Sequence, residues 1–144
     1  MTRVLLVAAI AVLTGAVAPA RAAGDAQVVY VPHDTVEKGG TLSTGADYRV
    51  SINTRTGPGQ CEVHEKETDT FYVLSGRATF VTGGKGIDLK PSRPGQLLGA
   101  GIEGGETHHL VKGDVIVIPA GVPHWFKEVP ESPFVYHLVK IIQP

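Results

Sequence analysis

Apolar and polar positions alternate in short runs along the chain, which is typical of β-strands that bury one face. The clearest run is YRVSINTRT at 48–56, which reads as a half-buried strand and ends at the Gly-Pro-Gly turn of 57–59. Other strand candidates, separated by Gly, Pro and Asp, are QVVYV (27–31), CEVH (61–64), TFYVLSG (70–76), RATFVTGG (77–84), VIVIP (115–119) and FVYHLVKII (134–142). Seven to nine short strands and no convincing helical repeat predict an all-β barrel or sandwich, because closure removes exposed strand edges.

One stretch departs from this pattern. Residues 83–106 read GGKGIDLKPSRPGQLLGAGIEGGE, and their Gly and Pro content predicts a mobile loop or an insertion at the rim of the barrel. The remaining strands and the length of 144 residues fit a single domain over 23–144.

The N-terminus has a different character. Arg3 precedes the apolar run 4–18, and the small-residue pattern Ala20-Arg21-Ala22 follows it. This order predicts a Sec-type signal peptide over 1–22, with cleavage after Ala22 and a second possible site at Ala18-Pro19-Ala20. A retained N-terminal anchor is the alternative, although fifteen apolar residues are short for a membrane span. We therefore expect a periplasmic or secreted protein with no membrane partner after cleavage.

Charge and cysteine content limit the classes of partner that can be expected. Loss of 1–22 removes Arg3 and Arg21 but no acid, which changes the formal net charge from −1 to −3. No basic stripe or aromatic ladder is present, so nucleic acid is not an expected partner. Cys61 is the single cysteine, which excludes a disulfide framework and suggests a small buried residue. A small molecule remains as a ligand, and an edge strand such as 27–31 suggests a homodimer.

The first candidate site lies in CEVHEKETDTF at 61–71. Residues i and i+2 of a strand point to the same side, so Glu62 and His64 share one face. After the turn that follows, Asp69 lies on the next strand. Asp69 and Phe71 are two residues apart, so their side chains point to the same face of that strand. A carboxylate beside a histidine can bind a metal ion or orient the imidazole ring.

The second candidate region is GDVIVIPAGVPHWF at 113–126. The continuous apolar run 115–118 predicts a strand buried on both faces, and Pro119 with Gly121 predicts a turn that fixes His124. Two histidines and two carboxylates, namely Glu62, His64, Asp69 and His124, are the components of a divalent metal site.

This second region resembles the second motif of the cupin superfamily, G-x5-P-x-G-x2-H-x3-N. Gly113, Pro119, Gly121 and His124 stand at the motif spacings, and Glu128 stands where Asn is usual. The resemblance implies a small single-domain cupin of the conserved-barrel type, with a double-stranded β-helix or jelly roll and a site inside the barrel.

The first cupin motif, G-x5-H-x-H-x3,4-E-x6-G, is matched less completely over about 57–76. His64 and Gly76 match, Asp69 stands where Glu is expected, Glu62 replaces the first His, and the leading Gly is displaced by one position at Gly57. The resemblance covers about 57–142, with the Gly- and Pro-rich stretch between the two motifs.

These departures change the expected chemistry more than the fold. A divalent ion held by Glu62, His64, Asp69 and His124 would have no net charge, and would therefore be a weaker Lewis acid than one held by three His and one Glu. This donor set suits Mn, Fe, Ni or Zn. Asp69 is one methylene shorter than Glu, so it could instead orient a ligand or leave room for water.

Two alternatives stay open for these residues. Glu62, His64 and Asp69 could form a hydrogen-bonded polar cluster without a metal, or a carboxylate left uncoordinated could act as a base. Phe71, Phe126 and His137 are predicted to line the pocket, with Phe126 on the same strand face as His124. The remaining histidines are His33 in a loop and the pair His108 and His109, of which one could face inward.

Three alternative functions are consistent with such a barrel. The first is a metal-dependent enzyme of oxygenase, isomerase or decarboxylase type acting on a small organic molecule. The second is a periplasmic binding or sensing module with a metal-free polar pocket, and the third is an accessory protein that acts through its surface. Two histidines and two acids favour the first, while the missing first histidine leaves the reaction unassigned.

Overall fold

The computed structural model describes residues 27–144. The predicted signal peptide, 1–22, and its cleavage sites lie outside the described residues. Within 27–144, no helix has the length and apolar character that crossing a membrane requires.

Over this range one helical turn, α1 (His33–Val36), precedes eleven strands, in agreement with the all-β prediction. The strands are β1 (Gly40–Thr44), β2 (Tyr48–Arg55), β3 (Cys61–His64), β4 (Glu67–Thr82), β5 (Lys85–Ile87), β6 (Lys90–Arg93), β7 (Gln96–Gly99), β8 (Gly101–Glu103), β9 (Glu106–Leu110), β10 (Val115–Ile118) and β11 (His124–Ile142).

Two long strands, β4 and β11, hold the barrel together. They pair with each other along their length, and bulges between Phe126 and Tyr136 bend the ladder. The first part of β11 also pairs with β3, whereas the last part pairs with β2. On its other side β4 pairs with β10 and β9. Each long strand therefore belongs to two walls of a jelly roll, which confirms the predicted double-stranded β-helix.

Aromatic rings fill the space between the walls. Phe80 and Phe134 are fully buried, and the Phe126 ring lies 4.5 Å from Phe80 and 5.9 Å from Phe71 between centroids. Tyr136 lies 4.6 Å from Phe71. Burying each ring removes a large apolar area from water, so this cluster supplies much of the driving force for closure. It also forms an apolar base beneath the polar residues described below.

Three sequence-based predictions are wrong. Residues 27–31 form no strand, and Val28 and Tyr30 are exposed, so this segment provides no sheet edge for a homodimer. The stretch 83–106 is not an irregular insertion, because it contains four short strands and β7 pairs directly with β3.

Finally, β10 buries only one face, since Val115 and Val117 are 62% and 56% exposed. An apolar run alone does not distinguish a strand covered on both sides from an edge strand.

In β2, the usual pattern of apolar residues facing the inside and polar residues facing the outside is reversed. Its apolar residues Tyr48 and Val50 lie in a surface groove with Val29 and Val31, while its polar residues face the inside of the barrel. A strand with one apolar face therefore does not by itself reveal which face lines a cavity.

The bend of β4 depends on Gly76, which has φ +78° and lies against the returning β11. A Cβ atom at this position would lie 2.5 Å from the Pro133 carbonyl oxygen and 2.7 Å from that of Glu131. Both the left-handed backbone and the close approach of β11 require a residue without a side chain.

We expect Gly76→Ala to lower the free energy of unfolding by about 3 kcal/mol or more, since it adds backbone strain to a clash with the backbone of β11. Gly83→Ala is the matched control, because Gly83 has φ +71° but open space around its Cβ position. It should cost only about 1 kcal/mol. Urea unfolding of both variants measures the difference, and equal losses would contradict the role of close approach.

Candidate metal centre

The strand register brings the four predicted ligands to one side of the barrel interior. Glu62 and His124 are direct partners across the β3–β11 ladder, and His64 follows on the same face of β3. Asp69 lies near the start of β4, after the turn that leaves β3. His64, Asp69 and His124 are buried, whereas about a quarter of the Glu62 side chain is exposed.

Backbone contacts fix this arrangement from outside. The Gly121 N–H donates to the His64 carbonyl oxygen at 2.7 Å, which ties the turn before His124 to the end of β3. Trp125, the next residue, donates its indole N–H to the Gly59 carbonyl oxygen at 2.8 Å. The Gly-containing turn predicted from sequence therefore positions both histidines together.

The distances between side-chain atoms suit a common ion. Glu62 Oε2 lies 3.4 Å from His64 Nε2, which lies 3.5 Å from Asp69 Oδ2. His124 Nε2 lies 4.0 Å from Asp69 Oδ2, and the ligand atoms of Glu62, His64 and His124 all lie within 4.8 Å of one another. Two ligands about 2.1 Å from one ion are about 3.0–3.5 Å apart at right or tetrahedral angles, so small side-chain rotations would bring these atoms onto one ion.

The protonation of His124 also fits a ligand. Its Nδ1 lies 3.0 Å from the Val122 carbonyl oxygen and can donate to it, which leaves the Nε2 lone pair directed toward the carboxylates. Burial lowers the pKa of the His124 imidazole below its ordinary value of 6.5, so the ring is neutral at pH 7. In His64, the buried Nδ1 lies 3.6 Å from Glu67 Oε2 and has no hydrogen-bond partner within 27–144.

Sequence reasoning missed Lys140, which lies directly opposite Asp69 in the β4–β11 ladder. Its ammonium group donates to both Asp69 carboxylate oxygens, at 2.6 and 2.9 Å, and lies 2.8 Å from Glu67 Oε2. Lys140 is 4% exposed, so this is a buried ion pair rather than a surface contact. Asp69 is therefore shared between the two histidines and the Lys140 ammonium group.

Glu67 connects Lys140 to the exposed side of the barrel. Its second contact is Arg93 on β6, whose Nη2 lies 3.0 Å from Glu67 Oε1. Burial raises the pKa of the Glu67 carboxyl, but the hydrogen bond and charge of Lys140, with the hydrogen bond from Arg93, lower it overall to about 2. Glu67 is consequently ionised over the whole physiological range.

Glu62 is held in a similar way. Arg55 donates to its Oε1 at 3.2 Å, and Gln96 of β7 donates to its Oε2 at 3.2 Å. Burial opposes ionisation, but the interaction with His64 and the charge of Arg55 contribute to lowering the pKa of Glu62 to about 2. The Arg55 guanidinium also lies 4.4 Å from the centroid of the Phe126 ring.

These residues surround an open cavity of about 250 Å³. Phe71 and Phe126 line it as predicted, but His137 does not, because it alternates with Tyr136 and Leu138 on β11 and faces outward. The other lining residues are Arg49, Asn53, Arg55, Gln60, Glu62, His64, Asp69, Arg93, Gln96, His124, Tyr136, Leu138 and Lys140. The cavity is therefore mostly polar and rich in charged residues.

The other histidines lie elsewhere. His33 is exposed and lies 3.2 Å from Glu37 on the helical turn, and His109 is also exposed. His108 Nε2 lies 2.8 Å from the Thr82 hydroxyl group. Glu128 accepts a hydrogen bond from Thr79 and is exposed. Cys61 is fully buried, in agreement with the prediction.

Comparison with protein families matches residues 24–141 to the family described as Cupin. No curated protein sequence matches the chain at a significant level.

Several solved structures share the fold. A protein of Bacillus halodurans superposes with a TM-score of 0.59 at 16% identity, over 85% of this chain and 86% of that one. The cupin domain of Schizosaccharomyces pombe Cnp3 gives 0.53 at 9% identity over 73% of this chain, which spans 60% of that protein's length. A Streptomyces PAC13 variant solved with uridine gives 0.51 at 13% identity, over 76% and 81%.

The buried ion pair of Lys140 with Asp69 and Glu67 leads to a prediction about the free energy of unfolding. Lys140→Met keeps most of the side-chain volume but leaves Asp69 and Glu67 without their ammonium partner, and we expect a loss of about 3–5 kcal/mol in the free energy of unfolding. Arg77→Met is the matched control, because it breaks the exposed ion pair with Glu131. It should cost less than about 1 kcal/mol. Chemical denaturation distinguishes them, and a small loss for Lys140→Met would contradict the assignment.

The lowered pKa of Glu67 predicts a pH dependence. Its carboxyl has a pKa near 4.5 when unfolded and about 2 when folded, so it stabilises the fold above pH 4.5 and loses this contribution as the pH falls toward 2. Denaturation midpoints of the wild type should fall across this window. The fall should be smaller in Glu67→Gln, whereas Glu65→Gln, at an exposed turn position, should retain the wild-type slope; parallel curves for all three would refute the prediction.

Proposed function

The chain belongs to the cupin family, and we propose that it is a secreted member that binds a divalent transition metal and acts on a small organic molecule in its barrel. The N-terminal sequence, with Arg3, an apolar run and Ala20-Arg21-Ala22, supports secretion. The observation that carries the metal is the grouping of Glu62, His64 and His124 in the cavity wall, where their ligand atoms all lie within 4.8 Å of one another.

The set of donor atoms limits which metal ions are expected to bind. Two imidazoles with one carboxylate, and Asp69 as a fourth donor or an orienting acceptor, suit Mn, Fe, Ni or Zn. Val122 fixes the His124 tautomer, and Arg55 and Gln96 fix the Glu62 carboxylate, so two of the ligands are held before an ion arrives.

The remaining residues create the environment for a substrate. A bound ion of this kind would polarise an oxygen atom of the substrate or activate water or dioxygen. Phe71 and Phe126 form an apolar surface beside the ligands, while Lys140 and Arg55 orient the neighbouring carboxylates. The size and polarity of the cavity support a small, polar ligand, as does the uridine bound to the Streptomyces relative in the same fold.

One observation favours a binding module as the second candidate. Lys140 already satisfies both oxygens of Asp69, so this half of the cluster is neutralised without an ion. If the same holds for Glu62, which Arg55 and Gln96 contact, the cavity would be a polar pocket that binds a ligand without a metal.

The decisive experiment is elemental analysis of the secreted protein, prepared without a histidine tag and without exposure to chelators. We expect close to one transition metal ion per chain, and a loss of most of it in His64→Ala and in His124→Ala. His137→Ala is the matched control, since His137 lies on the same strand as His124 but faces outward.

Full metal content in either ligand variant would refute the metal assignment. A wild-type protein that contains no metal and takes up none of Mn, Fe, Ni or Zn would favour the binding module instead. Circular dichroism of each variant separates loss of ligand from loss of fold.

A further inference from the structure

We infer that the cavity recognises the carboxylate group of a short organic acid, and that Arg49 on β2 is the residue that binds it. This inference rests on the proposed function, because it places the acid in the same cavity as the metal ligands. It starts from the balance of charges on the cavity wall.

Within 27–144, four cations line the cavity, and three of them have carboxylate partners. Arg55 contacts Glu62, Arg93 contacts Glu67, and Lys140 contacts both Asp69 and Glu67. Each of the three carboxylates contacts at least one of the three cations, so the three positive and three negative formal charges cancel. The histidines add no charge when they are neutral.

Arg49 is the cation that remains. It lines the cavity and is half-buried, and within 27–144 no carboxylate lies within 4 Å of its guanidinium nitrogens. A partly desolvated guanidinium without a counter-charge favours binding of an anion, and its planar donor pair matches the two oxygens of a carboxylate.

The strand register places Arg49 beside the candidate centre. Arg49 lies opposite Lys140 in the β2–β11 ladder, and Lys140 lies opposite Asp69 in the β11–β4 ladder, so the three residues form one row across the sheet. With strands about 4.8 Å apart, the Cα atoms of Arg49 and Asp69 are about 10 Å apart. An acid held by Arg49 would therefore extend toward His64 and His124.

The size of the cavity limits the ligand. Its volume of about 250 Å³ lies below the range of about 300–1,000 Å³ that is typical of pockets for drug-sized ligands. Together with the short path from Arg49 to the histidines, this favours an acid with a backbone of three to five carbons, either a dicarboxylate or a carboxylate with a second polar group.

The test is calorimetric titration of the secreted protein with malonate, succinate and glutarate, each compared with its neutral diamide. We expect at least one dicarboxylate to bind, with its diamide at least tenfold weaker. Arg49→Gln should weaken the best dicarboxylate at least tenfold, and Arg49→Lys should fall between it and the wild type, because it keeps the charge but loses the paired donors. Arg77→Gln, an exposed arginine outside the cavity, should bind as the wild type does.

The inference is overturned if no dicarboxylate binds the wild type better than its diamide, or if Arg49→Gln binds as tightly as the wild type. Metal content, measured on the same samples, separates this result from the proposed function. Metal without dicarboxylate binding would refute the role of Arg49 alone, whereas Arg49-dependent dicarboxylate binding in a protein that takes up no metal would refute the metal assignment alone. Thermal melts confirm that Arg49→Gln is folded.

Discussion

The barrel interior depends on one buried interaction, the contact of the Lys140 ammonium with the carboxylates of Asp69 and Glu67. Two acids so close to two histidines would repel each other and resist burial without a counter-charge. Lys140 lies on β11 and both acids lie on β4, so the same contact joins the two strands that form both walls. The polar cluster and the fold that surrounds it are therefore linked.

This ion pair also revises the electrostatics expected from the ligand set. A divalent ion with Glu62, Asp69 and two neutral histidines would be neutral, but the ammonium 2.6 Å from Asp69 Oδ1 offsets one of the negative charges. The neighbourhood of such an ion would thus be more positive than the four ligands alone imply, because Arg55 also contacts Glu62. An aspartate in place of a longer glutamate leaves space for the lysine to reach it, so Asp69 and Lys140 are best considered as a unit.

Strand periodicity predicted much of the fold and the convergence of Glu62, His64, Asp69 and His124, because alternation decides which side chains share a face. The same alternation in FVYHLVKII places Lys140 with Tyr136 and Leu138 on the inner face, and His137 on the outer face. The lysine was overlooked because lysines are rarely buried without a partner, and its partner lies 71 residues away. The short strands within 83–106 could not be predicted either, because they are stabilised by pairing with other strands rather than by local preference: β7 pairs with β3 and β6, and β5 pairs with β8.

Trp125 gives this protein a property of practical use. It is the single tryptophan of the chain, it follows His124 directly, and its indole N–H is anchored to the Gly59 carbonyl oxygen across the edge of β3. Its side chain also borders Gly101 of β8, so it touches the segment between the two motifs. The emission of this one indole is therefore an intrinsic optical reporter of the barrel wall around Gly59 and Gly101, beside His124, and it needs no attached dye.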